Sequence, residues 1–141
     1  MSIETVPDLR ISLPLDSFAP RAARYYVAHV DNPSPDLRDA VVLLTSELVS
    51  RAVEQCEDTS CERVELLAWM PQDVVRVELR APRELLDLPA HAEVSHYDLL
   101  LLNQVADRWS IDTTDGEPSE EPSACMWFEI DRHVRTPLPV S

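Results

Sequence analysis

Apolar and polar positions alternate through Leu9, Ile11, Leu13 and Leu15, the period of a half-buried strand, and Pro14 confines that strand to a sheet edge or ends it. Asp16 or Ser17 is placed to cap a helix through FAPRAARYYVAHV, with Phe18, Ala22, Tyr25 and His29 on one stripe and Pro20 in its first turn. DNPSP separates it from a second helix, running from Asp36 to about Cys56. There Leu37, Val41, Leu44, Leu48 and Ala52 recur every three to four residues, and Val42, Val49 and Val53 form a second stripe. A helix with two apolar stripes is buried on more than one side.

Two runs with strand character follow, Arg63 to Met70 and Val74 to Leu79, joined by PQD; in the second, Val75, Val77 and Leu79 alternate with Arg76 and Glu78. The pair predicts a β-hairpin. Residues 81–95 are irregular. A third helix is expected from about Tyr97 to Trp109, capped by Ser95, with Leu99, Leu102, Ala106 and Trp109 on one face. Ser110 to Thr114 and Cys125 to Ile130 read as strands on either side of the acidic loop DGEPSEEPS. Trp109 and Trp127 fit core patterns, whereas Trp69 suits either face.

The order strand, helix, helix, strand, strand, helix, strand, strand predicts an α+β sandwich: a mixed or antiparallel sheet with helices on one face. At 141 residues with 45% hydrophobic positions, the chain suits a single domain over 1–141, its core spanning about 9–131. There are no internal repeats.

Charge narrows the classes of partner. A formal net charge of −14 and a pI near 4.5 disfavour phosphate neutralisation on nucleic acid, since no basic stripe is present to release counterions. A basic protein partner fits better, and the acidic loop is a candidate surface for one. The start MSIETVPDLR has no cationic flank followed by an apolar run, and no stretch approaches the roughly 20 apolar residues of a membrane helix, so a soluble, cytoplasmic protein is expected. All the cationic side chains are arginine. Cys56, Cys61 and Cys125 show no Cys-x-x-Cys spacing, and reduced thiols are favoured, with a Cys56 to Cys61 bridge left open. His29, His91, His96 and His133 have no metal-ligand spacing, and no metal site is expected.

With these elements in order, the strings LPLDSFAPRAARYYV, VVLLTSELVSRAV, VVRVELRAP, LLNQVADRWSID and MWFEI resemble the anti-sigma-factor serine kinases, the RsbW-like family of the histidine-kinase-like (GHKL) ATPase superfamily. The resemblance covers most of the chain, from about Leu13 to Ile130. It implies the Bergerat-type α/β sandwich, with ATP and Mg²⁺ as the family's cofactors. In the family's helix motif, Glu-Leu-Val-x-Asn, the glutamate is the general base and the asparagine holds Mg²⁺. Glu47 matches the base, while Arg51 stands in place of the asparagine. A guanidinium has five donors, no acceptor and a fixed positive charge, so it repels a hard cation that an amide oxygen would coordinate.

Two further motifs depart from the family. Ala81 stands where an aspartate would read the adenine amino group. His96, Tyr97 and Asp98 stand where Gly-x-Gly would let phosphate approach the backbone, and Asp98 adds negative charge there. Gly116 is the chain's single glycine, so no phosphate cradle can form elsewhere. Metal, adenine and phosphate recognition are each impaired by a different chemistry. The expectation is a degenerate member: a regulatory protein-binding module without ATP binding, cofactor or kinase activity. Its implied partners are a sigma factor or an anti-anti-sigma protein of the STAS type, with a homodimer possible through the N-terminal elements. The competing expectation is an atypical ATP-dependent serine/threonine kinase acting on a STAS protein. On the first reading Glu47 is an ordinary helix residue paired with Arg51, worth only about 0.2–0.5 kcal/mol when exposed.

Overall fold

The computed structural model describes residues 6–30, 35–56, 63–71, 73–82, 96–114 and 123–132. In chain order the elements are β1 (Leu9–Pro14), α1 (Ala19–Val30), α2 (Pro35–Cys56), β2 (Arg63–Trp69), β3 (Val74–Pro82), α3 (His96–Val105), β4 (Arg108–Thr114) and β5 (Ser123–Asp131). The acidic loop with Gly116, together with Cys61, His91, Ser95 and His133, lies outside the described residues. So do the side chains of Cys56, His96, Tyr97 and Asp98.

The five strands form one sheet in the order β1-β2-β3-β5-β4, and every pairing is antiparallel. The register carries a single apolar row across the sheet: Leu9 faces Ala68, Ala68 faces Val77, Val77 faces Phe128, and Phe128 faces Trp109. A second row runs Ile11, Leu66, Leu79, Met126, Ile111. Because side chains alternate between faces with a period of two, one register fixes both rows on the same side. That side meets the helices.

α2 lies across the sheet and touches α1, α3, β3 and β5. Pro35 opens it, where a missing N–H costs nothing, and its 22 residues span about 33 Å. Val41, Leu44, Leu48 and Ala52 are buried, as the first stripe requires, and Val49 of the second stripe is buried too. Phe128, Leu44, Leu66 and Leu79 are fully enclosed, each burial contributing about 1.5–3 kcal/mol.

α1 presents its small residues inward. Ala19, Ala23 and Val27, spaced at i, i+4 and i+8, are buried, whereas Phe18 and Tyr25 are 68% and 61% exposed and His29 is also exposed. Of the stripe expected from Phe18, Ala22, Tyr25 and His29, Ala22 packs against the core, and the other three are exposed. Alanines let α1 approach its neighbours closely; bulky aromatics on that side would hold it away. Asp16 makes the entry turn: its Oδ1 accepts from the Phe18 N–H at 2.9 Å and its carbonyl from the Ala19 N–H at 3.1 Å.

The expected third helix is shorter at its C-terminal end. α3 stops at Val105, the Ala106 N–H closes its last turn on the Leu102 carbonyl at 3.0 Å, and the Asp107 N–H already donates to the Glu129 carbonyl at 2.9 Å. Trp109 therefore belongs to β4, not to the helix. It packs on the core from a strand, with its indole N–H donated to Asn103 Oδ1 at 2.9 Å.

Candidate functional site

The face of the sheet opposite the helices carries charge. β3 contributes Arg76, Glu78 and Arg80, the alternate positions to the buried Val75, Val77 and Leu79. Register then sets Arg76 beside Glu129 and Glu129 beside Arg108. Arg76 Nε donates to Glu78 at 2.7 Å and its Nη1 to Glu129 at 2.9 Å; Arg80 reaches Glu78 at 2.9 Å; Arg108 Nε reaches Glu129 at 2.7 Å and its Nη groups hold Asp131. Glu78 is only 7% exposed, a burial that its two arginine partners make tolerable.

Trp127 lies on this face, not in the core as its pattern had suggested. The Arg76 guanidinium sits 4.2 Å from its ring centroid, and its indole N–H donates to Asp112 Oδ2 at 2.8 Å. Strand alternation puts Trp69 and Leu67 on this side too, and both are buried.

The network sets its own ionisation. Burial pushes the Glu129 carboxyl upward, but the guanidiniums of Arg108 and Arg76 outweigh it and hold that group below the usual carboxylate range. Burial, reinforced by the neighbouring Glu78 charge, pushes the Cys125 thiol up to about 12, so at neutral pH it is a protonated, unreactive thiol. The arrangement is an ion lattice in which Arg76, Arg80 and Arg108 are each matched by carboxylates.

The sequence candidates occupy the other layer. Glu47 and Arg51 are half-buried one turn apart on α2, but among the described residues the ion pairs lie on the sheet and none joins Glu47 to Arg51. Arg51 has an interaction of its own. Ala81, 6% exposed near the end of β3, belongs to the same buried cluster as Leu44, Leu48 and Ala52 of α2. His96 and Asp98 fall in the first turn of α3, which packs against α2. α2 thus adjoins both β3 and α3. At Ala81 the side chain is a buried methyl group of the common core.

A cleft of about 470 Å³ opens elsewhere, lined by Asn103, Ala106, Asp107, Arg108, Trp109, Ser110 and Trp127. None of Glu47, Arg51, Ala81, His96 or Asp98 lines it. Asn103, Ala106 and Trp109 come from the helix side, whereas Arg108, Ser110 and Trp127 come from the charged side, so the cleft straddles the margin of β4. Sequence patterns did not mark it, since Arg108 and Asn103 had been placed inside one continuous helix. Among the described residues no cluster of His, Cys, Asp or Glu could hold a metal ion, and no helix is long and apolar enough to cross a membrane. No protein-family model matches the chain, and no curated protein is significantly similar to it.

Proposed function

We propose that this chain is a regulatory protein-binding module built on a histidine-kinase-like sandwich, resembling an anti-sigma factor, in which ATP binding and serine-kinase chemistry have been lost. The observation that carries the reading is Ala81. Its side chain is sealed in an apolar cluster with Leu44, Leu48 and Ala52, where the family's adenine-reading carboxylate would have to stand. Burying an unpaired carboxylate in such a cluster costs several kcal/mol or forces its protonation. Arg51 on the adjoining α2 compounds the loss, because a guanidinium offers Mg²⁺ no lone pair.

What remains to such a scaffold is protein recognition in the cytoplasm, with a sigma factor or a STAS-type anti-anti-sigma protein as partner. Titration calorimetry with ATP, with and without Mg²⁺, tests the first half, and no saturable heat is expected. Arg51→Asn alone should not restore binding, because Ala81 and the His96 to Asp98 turn remain. Micromolar ATP binding by the wild-type chain would overturn the reading in favour of an atypical kinase that phosphorylates a STAS protein. Co-purification from the native cell tests the second half: recovery of a sigma factor or STAS protein supports it, and recovery of neither counts against it.

A further inference from the structure

β4 stands at the sheet margin with β5 as its neighbour among the described residues. Its free backbone groups can be assigned. The Arg132 N–H donates to the Asp73 carbonyl at 2.9 Å, which turns the even-numbered backbone groups of the β5 segment toward β3. The Asp131 N–H donates to Asp107 Oδ2 at 2.6 Å, and the Glu129 carbonyl accepts from the Asp107 N–H, so the odd-numbered groups turn toward β4. With Arg108 opposite Glu129, Ser110 opposite Trp127 and Asp112 opposite Cys125, the inward hydrogen bonds of β4 belong to Arg108, Ser110 and Asp112. The N–H and C=O groups of Trp109 and Ile111 therefore point away from the sheet.

Among the described residues this margin reads Arg108-Trp109-Ser110-Ile111-Asp112, with Arg108 and Asp112 exposed, and it complements itself when reversed. In an antiparallel pairing centred on Ser110, Arg108 meets Asp112 of a second copy and Trp109 meets Ile111, twice each by symmetry. The outward backbone groups are those of Trp109 and Ile111, so this register also makes them the hydrogen-bonded pairs. Arg108 and Asp112 become non-hydrogen-bonded pairs, whose side chains stand closest. Arg108 is 48% exposed at its side chain and retains N–H groups beyond those given to Glu129 and Asp131. Asp112 is exposed and keeps lone pairs beyond those taken by Trp127 and Ser110.

Two other features meet at the same margin. The open cleft wraps both sides of β4. Leu100, 42% exposed, lies one turn before Asn103 on α3 and so shares the face that looks over the cleft. No proline or lysine blunts β4, as free strand margins usually require.

We infer that β4 is an interface between two copies of this chain, which join by antiparallel pairing of Arg108 to Asp112 about a two-fold axis at Ser110, making one ten-stranded sheet. Such an interface is isologous and closed. It is independent of any nucleotide and uses the opposite end of the sheet from the N-terminal elements.

Sedimentation velocity on the full chain at about 0.15 M salt should show a dimer. Asp112→Arg, which sets a second cation against Arg108 at each end of the pairing, should raise the dimer dissociation constant roughly tenfold or more. A wild-type chain that stays monomeric at about 1 mM overturns the inference, as does a dimer indifferent to Asp112→Arg. A second readout does not depend on that variant folding. Ser110→Cys brings two thiols together on the axis at a Cα separation of about 4.5 Å, within disulfide reach. Mild oxidation should give a covalent dimer with Ser110→Cys and not with wild type or Thr114→Cys. Equal cross-linking from position 114 overturns the register.

Discussion

Glu129 shows how one side chain joins three strands: it accepts from Arg76 on β3 and from Arg108 on β4 while sitting on β5. Losing its charge should cost roughly 1.5–3 kcal/mol, the range for hydrogen bonds to ionised groups. The sign of its pH dependence follows from the depressed folded-state pKa. The unfolded carboxyl takes up a proton near its ordinary value of about 4.3, while the folded one still resists, so the stabilisation is present above that value and is lost as pH falls through the folded pKa. Urea denaturation of wild type and Glu129→Gln across a pH series should therefore show a stability gap at pH 6 that narrows below about pH 4.3. A gap unchanged at pH 3 would show that packing, not charge, accounts for it. None of this was legible from the alternation of Arg76, Glu78 and Arg80 alone, because alternation places side chains on a face without saying which residue of a distant strand stands opposite. Register supplied the partner.

At the level of single elements, α1 depends on its entry turn, since its interior is rich in alanine and its aromatics face out. Asp16→Ala removes the acceptor for the Phe18 N–H and should destabilise the protein by about 0.5–2 kcal/mol, measurable as a lower urea midpoint at unchanged slope. Asp16→Asn, which keeps the acceptor oxygen, should recover most of the loss. The strands β1, β2 and β3, and the long α2, were visible in the sequence because each holds one period over its length. The end of α3 was not. Leu99, Leu102, Ala106 and Trp109 satisfy a helical period, while Trp109 and Ile111 satisfy a strand period, and a short overlapping segment cannot be assigned by period alone. The outcome was decided by backbone pairing of Asp107 with Glu129, a contact across 22 residues of sequence. Likewise the stripe on α1 did not say which of its residues would face inward, because that depends on how close the neighbouring helix comes. For the site candidates, sequence placed Glu47 and Arg51 on the long helix, whereas Ala81, read as the start of an irregular segment, belongs to β3, which runs to Pro82. That the Ala81 methyl is buried in the core that α2 shares needed the fold.

Over the whole molecule, helix layer and sheet share a single buried cluster to which α1, α2, α3, β1, β2, β3 and β5 contribute, with Trp109 and Ile111 of β4 packed against it, and this predicts one cooperative unfolding step. The tryptophans make the test informative: Trp109 lies on the helix side and Trp127 on the charged side. Indole fluorescence and far-ultraviolet circular dichroism should give coincident urea transitions. Separate midpoints would mean that the charged face and the helix layer unfold as different units. The net charge of −14 works against compaction, yet on the sheet face Arg76, Arg80 and Arg108 are locally matched by Glu78, Glu129 and Asp131. The surplus acidity is therefore carried elsewhere on the chain. One last consequence concerns the other side of the sheet, where Pro7 and Pro14 bracket β1. Neither proline has an N–H to offer an incoming strand, so growth of the sheet beyond β1 is discouraged. A chain whose β4 margins are joined would present only these proline-flanked ends, and its assembly would stop at two subunits instead of propagating into a fibre.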